Sequence, residues 1–293
     1  MKVFVTGATG LIGRAVCEAL VARGDEVVGL SRSGSRSLDL VTGDPSVPGP
    51  WLEALAGCDA CVHLAGEPVA EGRWTAEKKR RIRESRVRST ELVSGAIAGG
   101  RPGVLVSGSA VGFYGSRGDE VLDESAAPGD DFLAEVSAAW EQAARPAERR
   151  ARVVLLRTGI VLARDGGALP KLVQPFRLFA GGPLGDGAFW QPWIHLADEV
   201  GLVLLALDDA RARGPMNATA PEPARNRDLA KAVGRVLRRP SALRTPALAV
   251  RLAIGEAAGV VLASQRAVPA KALSLGYRFR FPELEGALRD LLG

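Results

Sequence analysis

Histidine and cysteine are scarce: only His63, His195, Cys17, Cys58 and Cys61 stand among 293 residues. A zinc site built on Cys58-x-x-Cys61 would need a second pair of ligands, and the two histidines alone remain to supply it. Cys61 also enters an apolar run, Cys61-Val62-His63-Leu64-Ala65, whereas redox C-x-x-C pairs usually open a helix. The pair therefore reads as reduced structural thiols, and no metal is expected. No stretch approaches the roughly 18 uninterrupted apolar residues of a membrane span. Met1-Lys2 leads straight into a short strand and a glycine turn, unlike a signal peptide. A soluble, cytoplasmic protein is the expectation.

Aromatics make up only 5% of the chain, and tyrosine occurs just twice, at Tyr114 and Tyr277. Hydrophobic residues nevertheless reach 47%, dominated by small and branched types. That balance suits a parallel sheet covered by close-packed helices. The net charge of +5 comes mainly from arginine, with six lysines in all. Its densest run, Lys78-Lys79-Arg80-Arg81 with Arg83, Arg86 and Arg88, alternates with Glu77, Glu84 and Glu91. This is the pattern of a solvated helix face, and a nucleic-acid partner is not expected.

Apolar β-branched runs alternate with helical patterns through two-thirds of the chain. Strands are predicted at Val3–Thr6, Glu26–Leu30, Leu38–Thr42, Ala60–Leu64, Gly103–Ser107, Val153–Arg157 and Pro215–Ala218. Helices are predicted at Leu11–Arg23, Pro50–Ala56, Thr75–Ala98, Phe132–Arg149 and Leu196–Asp208. Such alternation implies right-handed crossovers and an α/β fold, a Rossmann-type doubly wound parallel sheet. Further helices are predicted at Ala168–Phe179, Arg225–Leu237, Pro246–Ala258 and Glu283–Leu292. Residues 1–164, completed by about 190–220, should form the cofactor domain, and 165–189 with 221–293 a smaller, mainly helical substrate lobe. Exposed helices such as Thr75–Ala98 and Phe132–Arg149 could pair two copies into a homodimer.

Thr6-Gly7-Ala8-Thr9-Gly10-Leu11-Ile12-Gly13 lies between the first strand and the first helix. Gly7 permits the tight turn, Gly10 removes a Cβ where a pyrophosphate must approach, and Gly13 lets helix pack on strand. Backbone N–H groups at the helix start meet the phosphates. Thr6, Thr9, Leu11 and Ile12 complete this part of the dinucleotide site. Nineteen residues beyond Gly13 stands Arg32, flanked by Ser31 and Ser33, where NAD-selective folds place an acid about 20 residues on. An arginine with two hydroxyls suits a 2′-phosphate, so NADP is the expected cofactor.

In these motifs the chain resembles the extended short-chain dehydrogenase/reductases. It is most similar to their atypical epimerase-family subfamily of unknown substrate, which carries a small C-terminal domain. The resemblance rests on the glycine turn, His63-Leu64-Ala65-Gly66-Glu67, Gly72-Arg73-Trp74, and the segment from Ser107 to Gly115. It continues through Arg157-Thr158-Gly159-Ile160-Val161-Leu162, Gly181–Gly185, Pro192-Trp193-Ile194-His195, Asp198, and the tail from Gly276 to Pro282. The resemblance implies that Leu64, Ala65 and Gly66 pass the nicotinamide ribose and that Ser107 joins the cofactor set. It implies a catalytic role for Ser109, with Tyr114 shaping or serving the pocket.

One departure is decisive. The superfamily's Tyr-x-x-x-Lys pair, in which lysine lowers the tyrosine pKa, is missing: neither tyrosine has lysine four residues on, and Leu133 and Ser137 stand at the corresponding helix positions. Asp130, Asp131 and Glu135 lie near the vacated place and could donate a proton, or simply serve the helix N-terminus. Arg73, Trp74, Phe113, Trp193 and His195 are candidates for a pocket around a small-molecule substrate. Two readings follow. One is an NADP(H)-dependent oxidoreductase or epimerase-like enzyme; the other is an NADP-binding regulatory or scaffold protein that has lost catalysis.

Overall fold

The computed structural model describes residues 1–32, 40–69 and 72–293. Its centre is a seven-stranded sheet built from β1 (Lys2–Thr6), β2 (Glu26–Ser31), β3 (Leu40–Thr42), β4 (Ala60–His63) and β5 (Val104–Ala110). After a two-residue strand, β6 (Val121–Leu122), β7 (Arg152–Thr158) continues the sheet. Next come β8 (Ile160–Ala163), β9 (Gly166–Gly167), β10 (Trp190–Gln191) and β11 (Trp193–His195), outside that sheet. Finally β12 (Gly214–Ala218) closes its far edge. The order is β12-β7-β5-β4-β1-β2-β3, and every pairing is parallel. The order reverses beside β1, which opens a crevice at the strand carboxyl ends where such sheets bind ligands.

The strands alternate between two cores, as a period of two demands. Val3, Val5, Val62, Val106, Val154 and Leu156 join one cluster with Val16, Cys17 and Leu20 of helix α1 (Leu11–Ala22). Phe4, Cys61, Leu105, Val153 and Leu155 face the other, against Trp51 and Leu55 of α2 (Trp51–Ala56) and Val93 and Ile97 of α3 (Ala76–Gly99). Both faces being covered explains why these strands read as nearly continuous apolar runs. Cys58 and Cys61 sit in the second core as free, buried thiols whose pKa values burial raises. Among the described residues, no group of three His, Cys, Asp or Glu could hold a metal ion, and no helix is long and apolar enough to cross a membrane.

Most predicted elements appear, and the differences have local causes. The helix expected over Phe132–Arg149 is α4 (Phe132–Ala144), followed by a 3-10 turn over Arg145–Arg149. Pro146 lacks the N–H that would continue the α-helical ladder. Then follow α5 (Leu169–Arg177), α6 (Leu196–Asp208) and α7 (Asn226–Leu237). The helix expected over Pro246–Ala258 breaks at Gly255, whose φ is +63°, giving α8 (Ala247–Ile254) and α9 (Ala258–Leu262). The chain ends with β14 (Arg266–Ala267), preceded by β13 (Ala224–Arg225), then α10 (Ala270–Ser274) and α11 (Leu284–Leu292). A third core joins Val173 and Phe176 of α5, Val233 of α7, Leu288 of α11 and Trp193. The start of the predicted strand at Leu38 and the candidate Ser33 lie outside the described residues.

His63 ties the layers together. Its fully buried ring meets Thr6 Oγ1 at 2.6 Å through Nδ1 and Thr90 Oγ1 at 2.9 Å through Nε2. Burial depresses its pKa to about 4. Because the folded pKa lies below the unfolded one, the associated stability is present above pH ~6.5 and is lost as pH falls toward 4. The expected loss is on the order of 2–3 kcal/mol. Urea melts across this window should show a shallower pH slope in His63→Gln than in the wild type; parallel slopes would remove the assignment.

Candidate functional site

The glycine turn is held backbone against backbone. Gly7 has φ +69°, and a Cβ there would meet the Leu64 carbonyl carbon and the Ala65 nitrogen, each at 3.0 Å. A Cβ at Gly13 would lie 2.8 Å from the Gly7 carbonyl carbon and still closer to its oxygen. At Gly10 the surroundings are open except for Gly7 O at 3.2 Å, so this face is left to an incoming group. Gly10 caps α1 without any side-chain hydrogen bond, and the first turn holds no acid. Free N–H groups, a positive helix end and a cradle that a Cβ would fill are what a pyrophosphate requires. The residues fit a dinucleotide.

Around the turn, Thr9 and Gly10 are exposed while Leu11 and Ile12 are half-buried. Leu11 packs on the hairpin of β8 and β9, 3.0 Å from where Cβ atoms of Gly166 and Gly167 would stand. Thr6 is buried, and its hydroxyl serves His63 and the Ala65 N–H. Leu64, Ala65 and Gly66 follow β4 along the crevice rim, and Ser107 is buried within β5. Ser31 is buried at the end of β2, beside exposed Arg32. Arg32 lies close enough to Asp44 and Glu67 to help hold both carboxyls below their ordinary range, behind the hydrogen bonds from Ser46 and Lys78.

Beyond the carboxyl ends of β5 and β7 lies a cavity of about 470 Å³. Helix α4 presents Leu133, Ser137 and Trp140 to it, spaced i, i+4, i+7 on one face. Trp74 closes one side, its ring edge-on to Phe132 at 5.3 Å. Thr158, Gly159 and Ile160 form the floor with Ala110 and Gly112, and Val260 and Val261 of α9 cover the top. Arg86 of α3 also lines it, its guanidinium against Gly66. In the floor, Thr158 Oγ1 donates to Glu199 Oε1 at 2.8 Å. Complete burial pushes that carboxyl up to about 8, so Glu199 is neutral near pH 7.

The family model described as the NAD dependent epimerase/dehydratase family matches residues 3–218, and a domain of unknown function (DUF1731) matches 245–291. The chain belongs to the NAD dependent epimerase/dehydratase family. Within it, the epimerase family protein SDR39U1 homolog, chloroplastic, of Arabidopsis thaliana is 41% identical over 303 residues, covering 100% of this chain and 87% of that protein. The crystal structure of human epimerase family protein SDR39U1 with NADPH has 34% identity and a TM-score of 0.91 over 99% of each chain. A nucleoside-diphosphate sugar epimerase from Corynebacterium glutamicum has 38% identity and a TM-score of 0.83, covering 100% of this chain and 58% of that one. This epimerase-family protein is thus an atypical extended short-chain dehydrogenase/reductase.

Few of the predicted pocket residues meet in the cavity. Trp74 does; Arg73 instead donates to Leu252 O at 2.9 Å on the exterior. Trp193 is fully buried in the third core, its Nε1 donating to Glu222 O at 3.0 Å. His195 caps α6 by accepting the Ala197 N–H at 3.0 Å and stacks on Phe281 at 3.9 Å. Phe113 lies under the Arg157 guanidinium, 3.6 Å away.

The two catalytic candidates also turn elsewhere. Ser109 donates its hydroxyl to Glu141 Oε1 at 2.7 Å, and strand alternation leaves Ala110, not Ser109, among the residues lining the cavity. Tyr114 is fully buried, donating to Asn217 Oδ1 at 2.7 Å and accepting from Arg157 Nη1 at 2.9 Å. Asp131 is an N-cap, accepting from Ala134 N at 2.9 Å. Sequence reasoning missed Arg86, Phe132, Trp140 and the 256–265 segment as cavity walls.

Proposed function

We propose that this protein is an NADP(H)-dependent oxidoreductase acting on a largely apolar carbonyl compound, and that it does not epimerise nucleotide sugars. One observation carries the reading. The cavity beside the cofactor crevice has Leu133 and Ser137 where the acid/base pair would stand, and apolar walls around them. Nicotinamide-linked epimerisation needs a titratable group beside the reacting carbon that takes the hydroxyl proton as hydride leaves and returns it afterwards. A hydroxyl-rich sugar would also leave polar groups unpaired against Val260 and Val261. Hydride transfer to a carbonyl asks less: a floor that orients the substrate and one proton for the forming alkoxide. The proton we assign is the one on the neutral Glu199 carboxyl. Thr158 turns its hydroxyl to the forming alkoxide, gives up its own proton and takes the carboxyl proton in its place, leaving Glu199 as the carboxylate to be reprotonated after product leaves. Ser109 and Tyr114 act as positioning residues, through Glu141 and Arg157 beneath that floor.

NADP is the cofactor of this reading, supported by Arg32 and by the human relative's structure with NADPH. The adenosine 2′-phosphate would lie on Arg32 and Ser31, and the pyrophosphate on the turn from Gly7 to Gly13. Bound there, the cofactor supplies or accepts hydride. Residues 1–164 and about 190–220 serve the cofactor and supply most of the cavity wall, and of the smaller lobe, 165–189 with 221–293, the segment 256–265 reaches the cavity. Arg32→Ala is expected to weaken NADPH about tenfold to a hundredfold, the loss of a charge-assisted bond of ~1.5–3 kcal/mol, and to leave NADH unchanged. Calorimetric titration of both cofactors checks it.

Anaerobic assays of the NADPH-loaded protein with apolar ketones and aldehydes test the reaction. Expected is NADPH oxidation that falls at least tenfold in Thr158→Val. The absence of any titratable side chain at positions 133 and 137 also favours a second reading, an NADP-binding protein without catalysis. Tight NADPH binding with no turnover across the panel would establish it.

A further inference from the structure

Charged side chains reach the cavity at three places, and two are already satisfied. Asp131 caps α4 through the Ala134 N–H. Glu256 is ion-paired with Lys79 at the rim. Arg86 differs. Only its Nη1 donates, to the backbone carbonyls of Glu67 at 2.9 Å and Ile82 at 3.1 Å. Among the described residues Nε and Nη2 have no acceptor. The Glu67 carboxylate nearby is taken by Lys78 at 2.7 Å. Its planar guanidinium lies 5.1 Å from the Trp140 ring centroid and rests against Gly66.

Arg86 is half-buried, and it contrasts with Arg157, which is fully buried. Arg157 holds both Glu141 oxygens, at 2.8 and 2.9 Å, so its charge is compensated from within. Arg86 is charged at neutral pH as well, since burial lowers its pKa only to about 10. Glu67 lies near enough to favour the Arg86 charge but is held by Lys78, so a half-buried guanidinium edge with no protein acceptor among the described residues stands in the wall of a ligand-sized space.

We propose that the cavity binds a small molecule with an apolar, planar body and one carboxylate, the carboxylate seated on the free Nε and Nη2 edge of Arg86. This rests on the oxidoreductase reading and names the substrate class of the same site. A carboxylate matches the guanidinium fork by two parallel hydrogen bonds, which a sugar hydroxyl or a neutral amide cannot reproduce. The body then lies between Trp74 and Trp140 and under Val260 and Val261, with its carbonyl over Thr158.

The test uses the NADPH-loaded full chain and two isosteric probes, 2-naphthoate and 2-naphthamide, titrated by calorimetry. The carboxylate should bind at least tenfold more tightly than the amide. Arg86→Met should bring that ratio to about one while NADPH affinity stays at the wild-type value. Arg86→Lys, which keeps the charge but loses the fork, should retain an intermediate ratio, and it serves if the methionine variant does not fold. Equal binding of the two probes, binding of neither, or a ratio that survives in Arg86→Met would overturn the proposal. A fall in NADPH affinity in a folded Arg86→Met would overturn it too, by assigning the arginine to the cofactor. Turnover is read separately. Naphthoate selectivity without NADPH oxidation on any carbonyl panel would sink the oxidoreductase reading alone, whereas turnover of neutral ketones without selectivity would sink this one alone.

Discussion

Gly13→Ala is expected to weaken dinucleotide binding by a hundredfold or more. The added Cβ would sit inside the van der Waals surface of the Gly7 carbonyl, with the carbonyl carbon at 2.8 Å and Ala8 Cα at 3.1 Å. These are backbone atoms, so no side chain can rotate away. Gly7 cannot retreat either, because it already packs on Leu64 and Ala65 with φ +69°. The helix must move outward, carrying its first N–H groups off the phosphates. Losing two charge-assisted bonds of ~1.5–3 kcal/mol each corresponds to roughly 10²–10⁴ in affinity. Gly95→Ala is the control: it is exposed toward the C-terminal end of α3 with nothing within 4 Å of its Cβ position. That variant should keep the wild-type NADPH affinity and gain about 0.5–1 kcal/mol of stability. Titration with NADPH and thermal melts of both variants check the pair; equal affinities would mean the turn is not the binding site.

The sheet was legible because both its faces are buried, so each strand is an apolar run between turn signals and each gap fits one helix. The crevice was legible for a related reason: backbone contact demands glycines at 7 and 13, and Gly10 between them keeps the rim open, which leaves a readable spacing. The cavity was less so, because its walls come from seven separate segments. Trp193 and His195 stand in a ligand-edge motif, yet a three-residue strand and a helix cap direct them into the third core and toward Phe281. Ser109 illustrates the cost of a single step along a strand, since its neighbour Ala110 takes the cavity side.

Arg86 was hidden for another reason. Its helix is so rich in arginine and glutamate that the whole run reads as solvated. The helical period nevertheless places Arg86 on the stripe of Ile82, Ser89, Thr90, Val93 and Ile97, all buried. That stripe could have been read from the spacing, because the inward face of a charged helix is marked by what does not alternate with acids.

Arg157→Met is expected to cost about 3–5 kcal/mol and to lower the melting temperature by roughly 10 °C. Burial disfavours the Arg157 charge, but hydrogen bonds and attraction from Glu141 more than offset it and hold its pKa above the ordinary value. Removing the guanidinium leaves Glu141 as an uncompensated buried carboxylate, with Ser109 its remaining donor. It also removes the donor to Tyr114 and the cation stacked on Phe113. Replacing both partners should recover much of the loss, because a well-packed apolar pair carries no desolvation penalty. In Arg157→Met/Glu141→Leu the melting temperature should therefore lie well above that of the single variant, and a double variant no better than Arg157→Met would show that the cost is lost packing on Phe113. Thr158 follows Arg157 directly, and Ser137 and Trp140 lie within one helical turn of Glu141. The buried pair thus fixes the floor and one wall of the cavity at once, so the destabilised single variant should bind naphthoate more weakly while the glycine turn, anchored on the other side of β4, keeps its NADPH affinity.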